Sequence, residues 1–234
     1  MKQIEQCPEC LSNECTCGDV DITPGQGIYS VLKNLDYKPW FALAEFIDNA
    51  IQSFYSKKIY SKLKKINPNI KCKIFINIGR NTITIEDNAG GITQKDFPRA
   101  FRPASAPSDA SGLSEFGMGM KNAACCFSPL WEVETKPLGE DEEKKITFDV
   151  EKVRIDNLTS LNIKRYNKKP KEHGTILTLK KLYKTPKGKT IDKIKTHLSS
   201  IYRVLMERED LNIYFNKELL KYKQHKVLNS AWYE

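Results

Sequence analysis

Residues 42–53 read Ala-Leu-Ala-Glu45-Phe-Ile-Asp48-Asn49-Ala-Ile-Gln52-Ser53, a helical pattern with a polar stripe down one side. At about 100° per residue, Glu45, Asp48, Asn49 and Gln52 share one narrow face. Trp40, Leu43, Ala44, Ile47, Ile51 and Phe54 fall on the opposite face, which is expected to pack on a sheet. Pro39 opens this helix, which should run from Trp40 to about Lys57. Glu45 and Asn49 stand one turn apart and point the same way. A carboxylate there can orient and deprotonate a water. An amide oxygen there can ligate Mg²⁺, a hard cation that keeps most of its waters and takes phosphate oxygens. The plainer alternative is an amphipathic helix with a solvated flank, and the stretch alone leaves both open.

Three further segments lie downstream. Alternating Cys72-Ile74-Ile76-Ile78 reads as a strand, Gly79-Arg80-Asn81 as a turn and Ile83-Ile85 as the returning strand, which ends in Asp87-Asn88-Ala89-Gly90-Gly91-Ile92. Two glycines after an Asp allow close backbone approach to a flat ligand. The carboxylate can accept a hydrogen bond from an exocyclic amine such as that of adenine. A tight turn would use the same residues. Gly112-Leu-Ser-Glu-Phe-Gly117-Met-Gly119-Met-Lys121 leads into a helix over about 116–127, so its amides and Lys121 can face an anion. His173-Gly174-Thr175 opens a strand over 174–180.

Between these motifs, Thr93 to Leu113 carries Pro98, Pro103 and Pro107 with no clear period, a loop long enough to act as a lid. A short helix is expected from Gly27 to Asp36, a Lys-rich connection over 57–70, and strands over 130–136, 145–151 and 160–165. A helix over 190–207 carries Ile191, Ile194, Leu198, Ile201 and Leu205, and a last strand runs from Leu211 to Phe215. Helices, a hairpin, a lid, more strands and a closing helix give a sheet layered against helices, α+β or mixed α/β.

In this order, the ExxDN helix, the strand ending in DNAGGI, the lid leading to FGMGMK and the later GT resemble the GHKL ATPases. That superfamily includes gyrase B, the ninety-kilodalton heat-shock chaperones, sensor histidine kinases, MutL and MORC proteins; the chain looks most like the MORC and MutL types. The resemblance implies a Bergerat-type α+β two-layer sandwich: a mixed, mostly antiparallel sheet, helices on one face and a long ATP lid. The domain would span 27–216 with the lid over about 93–116, preceded by a leader, 1–26, and followed by a segment, 217–234, that begins a further part of a larger protein.

Carried over position by position, Glu45 would be the general base and Asn49 the Mg²⁺ ligand. Asp87 would recognise the adenine amine, with Gly91 and Ile92 beside the base. Gly117, Gly119 and Lys121 would meet the phosphates, and Thr175 would support Asp87. The implied activity is Mg-dependent ATP binding and slow hydrolysis, with lid closure and ATP-dependent homodimerisation. Two positions depart from the family pattern: Gln52 stands where many relatives have a carboxylate, and Ala89 replaces the first Gly of DxGxG. The rival expectation is a non-catalytic nucleotide switch or DNA-binding module. A sensor kinase is disfavoured, since the three His residues, 173, 197 and 225, belong to no preceding helical hairpin.

Composition sets the outer bounds. With 234 residues and 40% hydrophobic content the chain can bury a substantial core, while 29% charged residues and a mean hydropathy of −0.52 imply a well-solvated surface. No apolar run approaches the roughly 20 residues of a membrane span, and no secretory signal opens the chain. A soluble intracellular protein, cytoplasmic or nuclear, is expected. Net charge is +9, but only seven of the 38 cations are Arg, so a DNA-binding patch competes with a solvated Lys-rich surface. Cys72, Cys125 and Cys126 read as small core residues. Cys7, Cys10, Cys15 and Cys17 are candidate zinc ligands, although a CxxC followed by CxC is an unusual spacing and a reduced tail is the alternative.

Overall fold

The computed structural model describes residues 28–32, 34, 37–102 and 119–223. The four leader cysteines, Gly117, most of the expected lid and the segment after 223 lie outside the described residues.

Eight strands form one sheet in the order β5-β4-β3-β6-β2-β1-β7-β8: β1 (Cys72–Ile78), β2 (Thr82–Asp87), β3 (Leu130–Lys136), β4 (Glu142–Asp149), β5 (Ile163–Asn167), β6 (Gly174–Lys180), β7 (Leu211–Phe215) and β8 (Glu218–Leu219). Every pairing is antiparallel except β1 with β7. This is the α+β, mixed and mostly antiparallel architecture that the sequence implied. Period-two alternation sorts the strands' side chains. Cys72, Ile74, Ile76, Ile83, Trp131, Val133, Phe148, Leu179 and Ile213 are buried on one face. They share a single core with α2 (Pro39–Tyr55), α5 (Gly119–Phe127) and α7 (Lys189–Ile201). Each such side chain contributes about 1.5–3 kcal/mol by leaving water.

Helix α2 is buried over more of its circumference than the sequence stripe suggested. Ala42, Phe46 and Ala50 are buried beside Leu43, Ile47, Ile51 and Phe54, because α5 and α7 flank the helix while β1 lies beneath it. Trp40, expected on the sheet-packing face, packs against the core. It is only partly buried and stacks on His197 of α7, with ring centroids 4.2 Å apart.

Several other boundaries differ. The Lys-rich connection holds a helix, α3 (Lys57–Ile66), whose Leu63 is fully buried with Ile59 and Tyr60 packed nearby; six lysines between 57 and 71 obscured that spacing in the sequence. The strand expected over 145–151 stops at Asp149, whose carboxylate caps a short helix, α6 (Val150–Ile155), by accepting from the Lys152 amide at 3.1 Å. Strand β5 sits a few residues later than expected, and the helix expected over 190–207 breaks at Tyr202 into α7 and α8 (Arg203–Glu207). The start of the expected lid forms α4 (Phe97–Phe101), anchored by buried Phe97 and Phe101. An N-terminal helical turn, α1 (Ile28–Leu32), packs against α5 and α6.

Among the described residues no helix is long and apolar enough to cross a membrane, and no cluster of three or more His, Cys, Asp or Glu side chains could hold a metal.

Candidate functional site

Where β2 ends and β6 begins, beside α2, lies a cavity of about 90 Å³. Asn49, Asp87, Gly91, Ile92 and Thr175 line it, so five residues picked from the sequence meet at one place. Register explains part of this, since Asp87 and Thr175 are direct partners across the antiparallel β2–β6 ladder. Phe46, Ala50, Ile85, Met120, Val133 and Leu177 give the cavity apolar walls, and Ser53 adds a hydroxyl. The sequence reading did not single out these seven. The burial alternation of β2, β3 and β6 carried the signal for three of them, Ile85, Val133 and Leu177.

Asp87, half-buried at the end of β2, lines the cavity. Burial, partly offset by backbone N–H groups of Ala89 and Thr175, pushes its carboxyl pKa up to about 7. The Ala89 amide donates to Asp87 Oδ1 at 2.8 Å. Two glycines with positive φ make the close packing around it possible. Gly91, at φ +70°, lies against the Lys136 carbonyl, and a Cβ there would collide with that oxygen. Gly174, at φ +125°, abuts the Asp87 carbonyl in the same way.

Beside this corner, fully buried Thr135 accepts from the Ile92 amide at 2.7 Å, and its hydroxyl is 3.2 Å from that of Thr175. Thr135 thus ties the start of the lid segment to the sheet. The sequence reading missed it, although it continues the inward series Trp131-Val133. The Ser53 hydroxyl accepts from the Gly90 amide at 3.2 Å, joining α2 to the glycine turn.

The other end of the site is built from helices. Asn49 makes no side-chain hydrogen bond to any described residue, so its amide oxygen is available to the cavity it lines. Glu45 lies one turn earlier and does not line the cavity. Its Oε1 accepts from the Tyr37 hydroxyl at 2.6 Å, and its Oε2 presses on Gly119 at the start of α5, where a Cβ would overlap it. Burial, reinforced by Glu45, holds the Tyr37 phenol protonated well above its usual range. Asp48, which shares the stripe, faces elsewhere: it accepts from the Tyr202 hydroxyl at 2.7 Å, and burial raises its pKa.

Lys121 lies in the first turn of α5. It is buried, does not line the cavity, and donates to the Ala100 carbonyl of α4 at 3.0 Å. Burial and nearby Arg99 lower its pKa to about 8. Gly119, expected at the phosphates, neighbours Glu45. The site thus places a half-buried carboxylate facing a glycine turn beside a helix whose unpaired amide and carboxylate stand one turn apart.

Comparison with known families agrees. The family described as histidine kinase-, DNA gyrase B-, and HSP90-like ATPases matches residues 37–185, more than half of the chain. The chain belongs to this GHKL-type ATPase family. Its nucleotide is therefore ATP, and the matched span runs from α2 past β6, enclosing every residue that lines the cavity. No curated protein matches the chain.

Proposed function

We propose that this GHKL-type domain binds ATP with Mg²⁺ in the cavity between α2 and the β2–β6 corner and hydrolyses it slowly. In this reading the nucleotide state drives lid closure and homodimerisation of a larger MORC-, MutL- or chaperone-like assembly acting on DNA. The observation that supports it most is that Asn49, Asp87, Gly91, Ile92 and Thr175, far apart in sequence, line one cavity. Asp87 accepts the adenine amine, and Gly91 gives the ring room against the Lys136 carbonyl. The Asn49 amide oxygen, together with nucleotide phosphates, fits the oxygen preference of Mg²⁺. Bound there, the ion would neutralise phosphate charge. Glu45, steadied by Tyr37, takes a proton from the attacking water.

One observation favours the rival reading, a nucleotide switch without turnover: Glu45 is held by Tyr37 and Gly119 outside the cavity lining. Steady-state ATP turnover over a range of protein concentrations, with Glu45→Ala as control, separates the two. Turnover per molecule that rises with concentration and vanishes in Glu45→Ala supports a dimerising hydrolase. ATP binding with no turnover at any concentration favours the switch. If Asn49→Ala binds Mg-ATP like the wild type, the proposed site is wrong.

A further inference from the structure

Behind the nucleotide cavity, on the far side of the β2–β6 corner, a cleft of about 750 Å³ runs along the edge of the sheet face that no described helix covers. Lys71, Lys73, Lys136, Lys171 and Tyr214 line it, and Glu172 is the one carboxylate among the lining residues. Two of the lysines are engaged: Lys71 pairs with Glu209 at 2.5 Å, and Lys136 lies 3.6 Å from Glu143 and 3.9 Å from Glu172. Lys73 and Lys171 have no ion-pair partner among the described residues.

The middle of the same sheet face is charge-compensated. Glu132 pairs with Lys145 at 3.4 Å and Lys180 at 2.7 Å, and Glu134 pairs with Lys145 at 2.6 Å. Lys145 and Lys180 are thus neutralised on this face, whereas Lys73 and Lys171 at the cleft are not, among the described residues.

The cleft also has an aromatic lip. Phe75 and Tyr214 are register partners on the parallel strands β1 and β7. Their chain neighbours Ile74, Ile76, Ile213 and Phe215 are buried in the core, so the two rings stand on the opposite, open face. They stack with centroids 4.8 Å apart and planes 12° from parallel. Glu86, the register partner of Phe75 on β2, borders this pair on one side and disfavours a phosphate there, and Leu219, the register partner of Tyr214 on β8, borders it on the other. The cleft wall is also fixed in place, because the Asn88 side chain accepts from the Lys73 amide at 2.7 Å and donates to the Lys71 carbonyl at 2.9 Å.

Lysines along a groove beside an aromatic platform suit single-stranded nucleic acid, whose phosphates need cations and whose unpaired bases offer faces for stacking. A duplex presents no free base face to such a platform. We propose that this cleft binds single-stranded nucleic acid, with phosphates on Lys73 and Lys171 and a base against the Tyr214 ring where it lines the cleft. The inference rests on the proposed action on DNA and specifies the form of nucleic acid and the surface that takes it.

The test is fluorescence anisotropy of the full chain with a fluorescein-labelled oligothymidine of about 20 nucleotides, against a duplex of equal length. A fluorescent ATP analogue is titrated in parallel. The oligonucleotide is expected to bind, to weaken steeply between about 50 and about 200 mM salt, and to outcompete the duplex. Combined Lys73→Glu and Lys171→Glu should weaken it about tenfold or more, and Tyr214→Ala about tenfold, with Tyr214→Phe retaining binding. None of these variants should alter binding of the ATP analogue, which also reports that they fold. Lys171→Glu alone, in the loop before β6, serves if a β-strand variant does not fold. Absence of oligonucleotide binding, equal binding of duplex, or variants that bind like the wild type would overturn the proposal. Failure of the wild type to bind the ATP analogue would instead overturn the nucleotide site and leave the oligonucleotide result standing.

Discussion

At the Asp87 end of the cavity nearly every contact involves the backbone: the Ala89 amide on the carboxylate, the Lys136 carbonyl against Gly91, the Ile92 amide on Thr135. At the Glu45 end each contact is made by a side chain that reaches a separate helix or loop: Tyr37 on Glu45, Glu45 on Gly119, Lys121 on the α4 carbonyl. The first end inherits its geometry from strand register, which a one-residue slip would destroy wholesale. The second depends on rotamers and on how α2, α4 and α5 sit against one another. On the proposed reading, base recognition is preformed by the sheet, while the Glu45 end can be retuned without disturbing the fold. Substitutions at the two ends should fail in different ways.

The sharpest separation is expected for Glu45→Ala. It should lower turnover by about 10²- to 10⁴-fold with ATP affinity within a few-fold of wild type, read from steady-state rates and calorimetry. Comparable loss of affinity would erase the distinction between the ends. Asp87→Asn should do the reverse, weakening ATP binding by about 10- to 100-fold through a lost charge-assisted acceptor. Whatever turnover remains at saturation should be near normal.

Because the Asp87 carboxyl titrates at about 7, ATP affinity should rise about tenfold as pH climbs from about 6 to about 8, and Asp87→Asn should flatten that profile. Stability should move oppositely. The folded chain keeps a proton on Asp87 that the unfolded chain releases above about pH 4, so this group's contribution to stability falls as pH rises from about 4 to about 7 and is level beyond. Thermal denaturation of wild type and Asp87→Asn across that range checks the sign.

Smaller effects probe the helical end. A methyl at Gly119 displaces the far end of the Glu45 side chain rather than backbone, so Gly119→Ala should lower turnover by about tenfold while shifting the melting temperature little. Tyr37→Phe removes the hydroxyl that orients the base and should lower turnover by about fivefold without affecting ATP binding. A large fall in melting temperature for either variant would mean that this end is as structural as the other.

The same contrast governs what the sequence revealed. The alternation of Cys72-Ile74-Ile76 and the DNAGGI turn belong to strands and tight glycine geometry, whose local pattern is their structure, so the β1–β2 hairpin and the Asp87 corner were legible. Thr135 was missed because its importance lies in a cross-strand neighbour, Thr175, forty residues away. Lys121 was assigned to the phosphates from its place after a glycine pair. Its burial against Ala100 depends on where α4 docks, which no local spacing encodes. Helix α3 was hidden by its lysines, because only Leu63 goes fully into the core.

The claim on which all of this depends is that Asp87 reads the adenine amine. Calorimetric titration of the full chain with Mg-ATP and with Mg-inosine triphosphate, which carries a carbonyl in place of that amine, tests it most directly. The account predicts that ATP binds at least about tenfold more tightly and that Asp87→Asn narrows the gap. Equal affinity of the wild type for the two nucleotides would contradict it.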